Sequence, residues 1–456
     1  MRPTVGRFPW FGWVGLMGLL AGHIGVGLGV FPVTVLFYCI VWWSYILIVD
    51  ALVWWCRGDS LLRSRPREFA VLAFWSIALW NVFEALNFRL QDWFYVNVPT
   101  GPLYGALLSV FAYSTVLPGI LETYDLLHAW HVGEQLHARP WRIGPATLFG
   151  SLALGVAMLA TPILWPNYAF PLVWGFAVFL GEPICYRSPL MRARSLLGHL
   201  ERGDPRLLVR LLLAGLICGG LWEFWNGWAH TKWLYTVPLF EDTKWFEMPP
   251  LGFLGFPPFA IECYVLVNLL NLARGGRNWE APPDHAGGGA PRGWVVPAVV
   301  GACVFNLAVY AGIDRFTVRS YSPRIADLDG VSAEALERLT QVGIIRPGAL
   351  LRHTRTPAEV STLSGDTGIS PVQLHRLREA ARLADLDGLG AVNANALRAL
   401  GITRIELLAA QDPAELYPRW HAEARENPPT LPQVKAWIRA ARRAAHSPDY
   451  SRRTRE

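Results

Sequence analysis

Residues Val33–Trp55 read VTVLFYCIVWWSYILIVDALVWW, 23 residues with one charged side chain, Asp50. At 1.5 Å per residue this run makes a helix about 34 Å long, enough to cross the roughly 30 Å hydrocarbon core of a bilayer. Eight further stretches have the same character: 8–30, 69–88, 103–127, 143–165, 169–184, 207–229, 253–272 and 293–313. The stretch 169–184 is short and carries Glu182-Pro183 near its end, where a tilt or break is expected. The expected fold class is all-α: a polytopic membrane bundle of nine spans, followed by a small helical domain outside the bilayer.

The totals agree with this reading. The chain is 52% hydrophobic and 17% charged and contains 22 Trp, far from the balance of a soluble chain of this length. The apolar residues are concentrated before about Ile313 and thin out afterwards. A net charge of +6 would suggest nucleic acid in a soluble protein, but here much of it is Arg placed between apolar runs. All six cysteines lie in the apolar half without a CxxC pair, so neither a disulfide framework nor a zinc site is indicated. Arg2 and Arg7 precede the first apolar run, and no small-residue cleavage site ends it, so an uncleaved span is expected.

Arg recurs at alternate connections: Arg57, Arg63, Arg65 and Arg67; Arg139 and Arg142; Arg187, Arg192, Arg194, Arg202 and Arg206; Arg274, Arg277 and Arg292. With Arg2 and Arg7 these make sixteen basic residues on one side, against Arg89, Lys232 and Lys244 on the other. The rule that basic loops stay inside places the first side and the N-terminus in the cytoplasm of a bacterial-type inner membrane. Nine spans then put the C-terminal domain outside.

A shift of 140 residues superposes Trp93-Phe94-Tyr95 on Trp233-Leu234-Tyr235, and Pro118, Glu122 and Tyr124 on Pro258, Glu262 and Tyr264. Phe31-Pro32 meets Phe170-Pro171 at nearly the same shift. The expected organisation is two tandem four-helix repeats, 1–142 and 143–280, a Pro/Gly-rich loop at 281–292, a ninth helix at 293–313 and a soluble domain at 314–456. That domain repeats as well, Asp327-Leu328-Asp329-Gly330 recurring as Asp385-Leu386-Asp387-Gly388.

Carboxyl groups inside apolar spans are the most informative residues, because burying a charge costs several kcal/mol unless it is paired or neutralised. They are Asp50, Glu84, Glu122, Asp125, Glu182, Glu223 and Glu262. Glu122 and Glu262 occupy matching places four residues after a proline, and Glu84 and Glu223 lie on the preceding spans. These four are the candidate catalytic acids, two per repeat, able to share a proton or hold a cation. Structural glue between helices is the competing interpretation. Around Glu223 the run Leu221-Trp222-Glu223-Phe224-Trp225-Asn226 forms an aromatic-walled polar spot, so Trp222, Trp225, Asn226, Trp233, Tyr235 and Tyr264 are the candidate pocket. Asp125, His128, His131 and Glu134 have the three-residue spacing of helical carboxylate–histidine metal ligands; a solvated, amphipathic helix end at the cytoplasmic interface is the simpler reading. His23 is a distant candidate partner. The aromatic loops Asp92-Trp93-Phe94-Tyr95 and Lys244-Trp245-Phe246 fit an interfacial belt or a lid over a lipid-accessible pocket.

From about Ile325 to Ala445 the chain resembles tandem helix-hairpin-helix modules, through Leu386-Asp387-Gly388-Leu389-Gly390 followed by Ala396-Leu397-Arg398-Ala399-Leu400-Gly401-Ile402. The resemblance implies a hairpin whose backbone approaches DNA phosphates. Val392 stands where the Lys would be, however, and Ser332 replaces the second glycine of the first copy, so a structural role or a protein partner is expected rather than nucleic acid. The apolar half resembles the membrane carotenoid cyclases of the lycopene type, through Trp222-Glu223, Trp233 with Tyr235, and Pro258-Phe259-Ala260-Ile261-Glu262. Cys263 stands where a second Glu would be, the proline lies four residues before Glu262, and the repeat has four spans rather than three. That resemblance implies an acid, Glu262 or Glu223, that protonates an isoprenoid double bond between aromatic walls.

The sequence leaves three functions open: a membrane protein with a buried acidic site and a docking tail, a membrane enzyme acting on a lipid or isoprenoid, and a transporter. It names no cofactor.

Overall fold

The computed structural model describes residues 8–237, 243–280, 292–317, 320–386, 388–423 and 428–446. The expected flexible loop 281–292 falls almost entirely outside them, as does Asp387. The described chain is mostly helical, and nine of its helices are long and apolar enough to cross a membrane.

In the first half, α1 (Trp10–Gly27), α2 (Val33–Arg57) and α3 (Pro66–Leu90) are continuous, and the fourth span is divided into α4 (Pro102–Tyr113) and α5 (Val116–Ala129). The second half holds α6 (Pro145–Leu164), α7 (Phe176–Arg187), α8 (Arg206–Trp228) and α9 (Phe256–Ala273); α10 (Arg292–Phe316) leads to the C-terminal domain. α1 packs on α2, α2 on α5 and α3 on α5; α6 packs on α7, α7 on α9 and α8 on α9. α5 against α8 joins the halves, and α10 lies along α3. Small residues permit the close approaches: a Cβ on Gly15 would stand 2.7 Å from the Ser44 carbonyl.

The expected break at Glu182-Pro183 is displaced. Pro183 sits within α7, and the span breaks earlier, at Gly175, between a 3₁₀ turn at Phe170–Trp174 and α7. The fourth span breaks at Ser114-Thr115, where Ser76 of α3 bridges the gap by donating to Tyr113 O (2.5 Å) and accepting from Leu117 N (3.0 Å). Pro118 and Pro258 lie in the first turns of α5 and α9, where their missing N–H groups cost no helical bond.

Two short strands, β1 (Trp93–Val96) and β2 (Lys232–Tyr235), pair antiparallel with Trp93 opposite Tyr235 and Tyr95 opposite Trp233. They follow α3 and α8, at the end of the bundle opposite the arginine-rich connections. Strand alternation sends Trp93, Tyr95, Trp233 and Tyr235 into the bundle, while Phe94, Val96 and Leu234 join the core of the C-terminal domain. That domain is all-helical from Ala333–Gln341 to Leu431–His446. It sits on the strand pair: Trp437 meets Phe94 at 6.1 Å, and Val98 bonds through its backbone to Ser320 O (3.2 Å) and Ser322 N (2.9 Å).

Candidate functional site

The seven carboxyl groups sort by what they touch. Three hold the starts of helices, where N–H groups lack internal partners. Asp50 accepts from Leu62 N and Ser60 Oγ, both at 2.7 Å. Glu182 accepts from Leu197 N at 2.9 Å. Glu262 accepts from Ala177 N at 2.8 Å, holding the start of α7 beyond its break. The first two anchor short helices that begin with the same words, Ser60-Leu61-Leu62 and Ser195-Leu196-Leu197. Asp125 is paired with Arg57. Neither oxygen of Glu122 meets an N–H or O–H donor; the group it faces is the Asp50 carboxyl, so a hydrogen bond between them needs one carboxyl to carry the hydrogen.

Glu122 and Glu262 are therefore not joined to Glu84 and Glu223 as the sequence suggested. Helix periodicity places acids at depth but says nothing about the azimuth of each helix. Glu84 and Glu223 instead face the strands. Glu84 Oε1 receives Trp80 Nε1 (2.8 Å), Trp93 Nε1 (3.3 Å), Tyr113 OH (3.2 Å) and Tyr95 OH. Glu223 Oε1 receives Tyr235 OH at 2.8 Å. One turn further along each helix an asparagine braces the same strand. Asn87 donates to Trp93 O (2.8 Å) and accepts from Asp92 N (2.8 Å), and Asn226 donates to Trp233 O (3.0 Å) and accepts from Trp233 N (3.1 Å). The signal was present in sequence as Glu84-x-x-Asn87 before Trp93-x-Tyr95 and Glu223-x-x-Asn226 before Trp233-x-Tyr235. The connector differs by one residue, and that hid it.

Two cavities flank these pairs, of about 490 and 410 Å³. Trp80, Tyr95, Trp222 and Trp233 line both and form the wall between them. The larger is completed by Tyr38 and Cys39 of α2, by α4, and by Tyr310 and Tyr321. The smaller is completed by Asp92, Trp93, Trp174, Tyr235, Phe256 and Phe259 among others. Trp80 and Trp222 approach to 5.4 Å between ring centres, and Trp174 meets Phe259 edge-on at 5.5 Å. Burial, followed by Glu84 for Tyr95 and by Glu223 for Tyr235, pushes both strand phenols well above their ordinary values. They stay protonated and donate.

Of the expected pocket residues, Trp222, Trp233 and Tyr235 line cavities. Trp225 packs on Trp42 at 5.1 Å, Asn226 braces β2, and Tyr264 OH donates to Arg194 O (2.9 Å) at the far end of the bundle. The sequence does not single out Trp80, Tyr113 and Trp174, because cross-helix aromatic contacts leave no spacing, and it marks Tyr95 only as part of the repeated aromatic loop.

The expected metal ligands are not brought together. The helix ends at Ala129, so His131 leaves the stripe; its ring is exposed and lies 3.9 Å from Glu134, which is taken by Arg206 (3.0 Å) and Arg210 (2.8 Å). Among the described residues no group of three His, Cys, Asp or Glu is placed to hold a metal ion. His23 bonds to Leu19 O (2.7 Å) within its own helix.

In the C-terminal domain the hairpin glycines Gly388 and Gly390 adopt φ +71° and +72°. A Cβ on Gly388 would fall 2.2 Å from Val96 Cγ1. Gly388, in the segment that the helix-hairpin-helix resemblance would turn towards phosphate, thus packs against the strand pair. Residues 329–444 match a family model described as a domain of unknown function, DUF4332. No match was found among curated proteins or among solved structures.

Proposed function

We propose that the chain is an integral membrane protein that binds an apolar molecule of the lipid or isoprenoid class in its two aromatic cavities, with the C-terminal domain capping them. The observation that carries this reading is the pair of cavities divided by Trp80, Tyr95, Trp222 and Trp233, each with a tyrosine in its wall bonded to a buried glutamate. Such concave, largely apolar spaces with few polar groups are the usual form of a small-molecule site. Membrane insertion is supported by the outward faces of the bundle: Phe149, Trp294 and Leu307 are 74%, 73% and 68% exposed, and apolar surface of that extent belongs in hydrocarbon. The arginine-rich end faces the cytoplasm in this reading, and the strands and C-terminal domain lie outside.

A duplicated origin fits the strand register. A shift of 140 residues carries Trp93 to Trp233 and Tyr95 to Tyr235, and the pairs Trp93–Tyr235 and Tyr95–Trp233 exchange under it, as a two-fold axis between the halves requires. The test of the function is extraction of the purified protein followed by mass spectrometry. An apolar molecule near stoichiometry, reduced in a folded Trp222→Ala variant, is expected. Recovery of bulk phospholipid alone, in equal amount from both proteins, counts against the reading.

A second reading, an enzyme that protonates an isoprenoid double bond, is favoured by the two carboxyl–phenol pairs at the cavity walls. It requires Glu84→Gln or Glu223→Gln to abolish turnover while leaving the bound molecule in place.

A further inference from the structure

Asp92 lies between α3 and β1, beyond the apolar span Pro66–Leu90. It is 4% exposed. Its backbone is fully used, the N–H donating to Asn87 Oδ1 (2.8 Å) and the carbonyl accepting from Thr236 N (2.8 Å). Its carboxyl has no hydrogen bond or ion pair among the described residues, and burial is the one influence acting on it. Among the described residues it is also the one charged side chain lining the smaller cavity, whose other described walls are aromatic, aliphatic, glycine or proline.

We propose that the smaller cavity takes an apolar molecule bearing a protonated amine, with the ammonium on the Asp92 carboxylate among the indole faces of Trp80, Trp93, Trp174, Trp222 and Trp233. The proposal rests on reading the cavities as ligand sites. A buried carboxylate without a partner is costly, and an ammonium offsets that cost through both charge and hydrogen bonds. Indole faces carry negative potential and attract the same cation. A fatty carboxylate would meet repulsion, and a long-chain alcohol would supply one hydrogen bond without neutralising the charge. Residue 232, 140 positions later, is a lysine that lines the other cavity and is paired with Glu247 at 2.6 Å. The matching place of the larger cavity thus holds an ion-paired lysine and not an acid, so amine recognition belongs to the smaller cavity.

Burial pushes the Asp92 carboxyl up to about 7. Among the described residues the titratable groups around the cavity are Tyr95 and Tyr235 in its wall, Glu84 and Glu223 behind them, Lys244, whose Nζ donates to Tyr235 O at 3.0 Å, and Glu247, which is paired with Lys232. Ionised Asp92 dominates above pH 7 and the neutral acid below it, so amine affinity falls as the pH drops through 7.

The test measures equilibrium binding of radiolabelled dodecylamine and dodecanol to the full-length protein in detergent, at pH 8 and pH 5.5, with Asp92→Asn alongside. The Asn side chain is isosteric and breaks none of the backbone bonds. At pH 8 dodecylamine should bind about tenfold more tightly than dodecanol, and this preference should be lost at pH 5.5 and in Asp92→Asn. Equal affinities for the two probes, or a preference that survives in Asp92→Asn, would overturn the role of Asp92 and leave the cavity reading standing. Absence of saturable binding by either probe overturns both.

Discussion

At Glu84 one carboxylate oxygen gathers four donors, and removing it leaves two indoles and the Tyr95 phenol without an acceptor, while Tyr113 OH can still donate to Tyr95 OH at 2.8 Å. Glu84→Leu is therefore expected to destabilise the protein by about 3 kcal/mol or more, and Glu84→Gln by much less because the amide oxygen still accepts. Thermal unfolding in detergent measures the difference; equal losses would contradict the network. Gly388 gives a second prediction at this scale. Its positive φ and the 2.2 Å approach to Val96 leave no room for a side chain, so Gly388→Val should loosen the C-terminal domain from the bundle at a cost of about 2 kcal/mol or more, seen as faster proteolysis between residues 314 and 323. His230 supplies the pH dependence. Burial first, then Arg346 and Lys232, lower its pKa from 6.5 to about 4. The unfolded chain takes up the proton first, so the stability tied to neutral His230 is present above about pH 6.5 and is lost as the pH falls towards 4, by up to about 3 kcal/mol. Stability curves at pH 7 and pH 4.5 should converge more in His230→Gln than in the native chain.

At the scale of elements, acids that looked alike in sequence do different work. Asp50, Glu182 and Glu262 each satisfy the free N–H groups at a helix start. Truncating any of them to Ala should cost about 1 to 2 kcal/mol without changing what the cavities bind. Calorimetry together with the extraction assay checks both halves of that statement. The breaks in the fourth and sixth spans are also element-level decisions. Ser76 and Glu262 come from other helices and supply what the interrupted backbone lacks. A run of apolar residues such as 103–127 carries no sign of this, because the compensating group lies elsewhere in the chain.

For the whole molecule, α10 ends beside the strands, so the C-terminal domain and both strands share one end of the bundle and the arginine-rich connections share the other. With the chain in a bilayer, cysteines placed at Thr100 and Glu406 should react with an impermeant thiol reagent from one side, and one placed at Arg139 from the opposite side. Labelling of Thr100→Cys and Glu406→Cys from different sides would break the shared-end arrangement.

The sequence by itself determined the number and extent of the long apolar helices and the helical character of the C-terminal domain, because run length and segregation of charge are local properties of the chain. It also marked the Trp-x-Tyr segments as a repeated feature. Only the tertiary structure decided which acids meet, since a helix carries its polar groups at fixed heights while packing sets the direction they face. It turned Glu122 and Glu262 away from the aromatic site, brought Glu84 and Glu223 to the strand tyrosines, and left the Asp92 carboxyl without a partner among the described residues, in a cavity walled by indoles drawn from both halves of the chain.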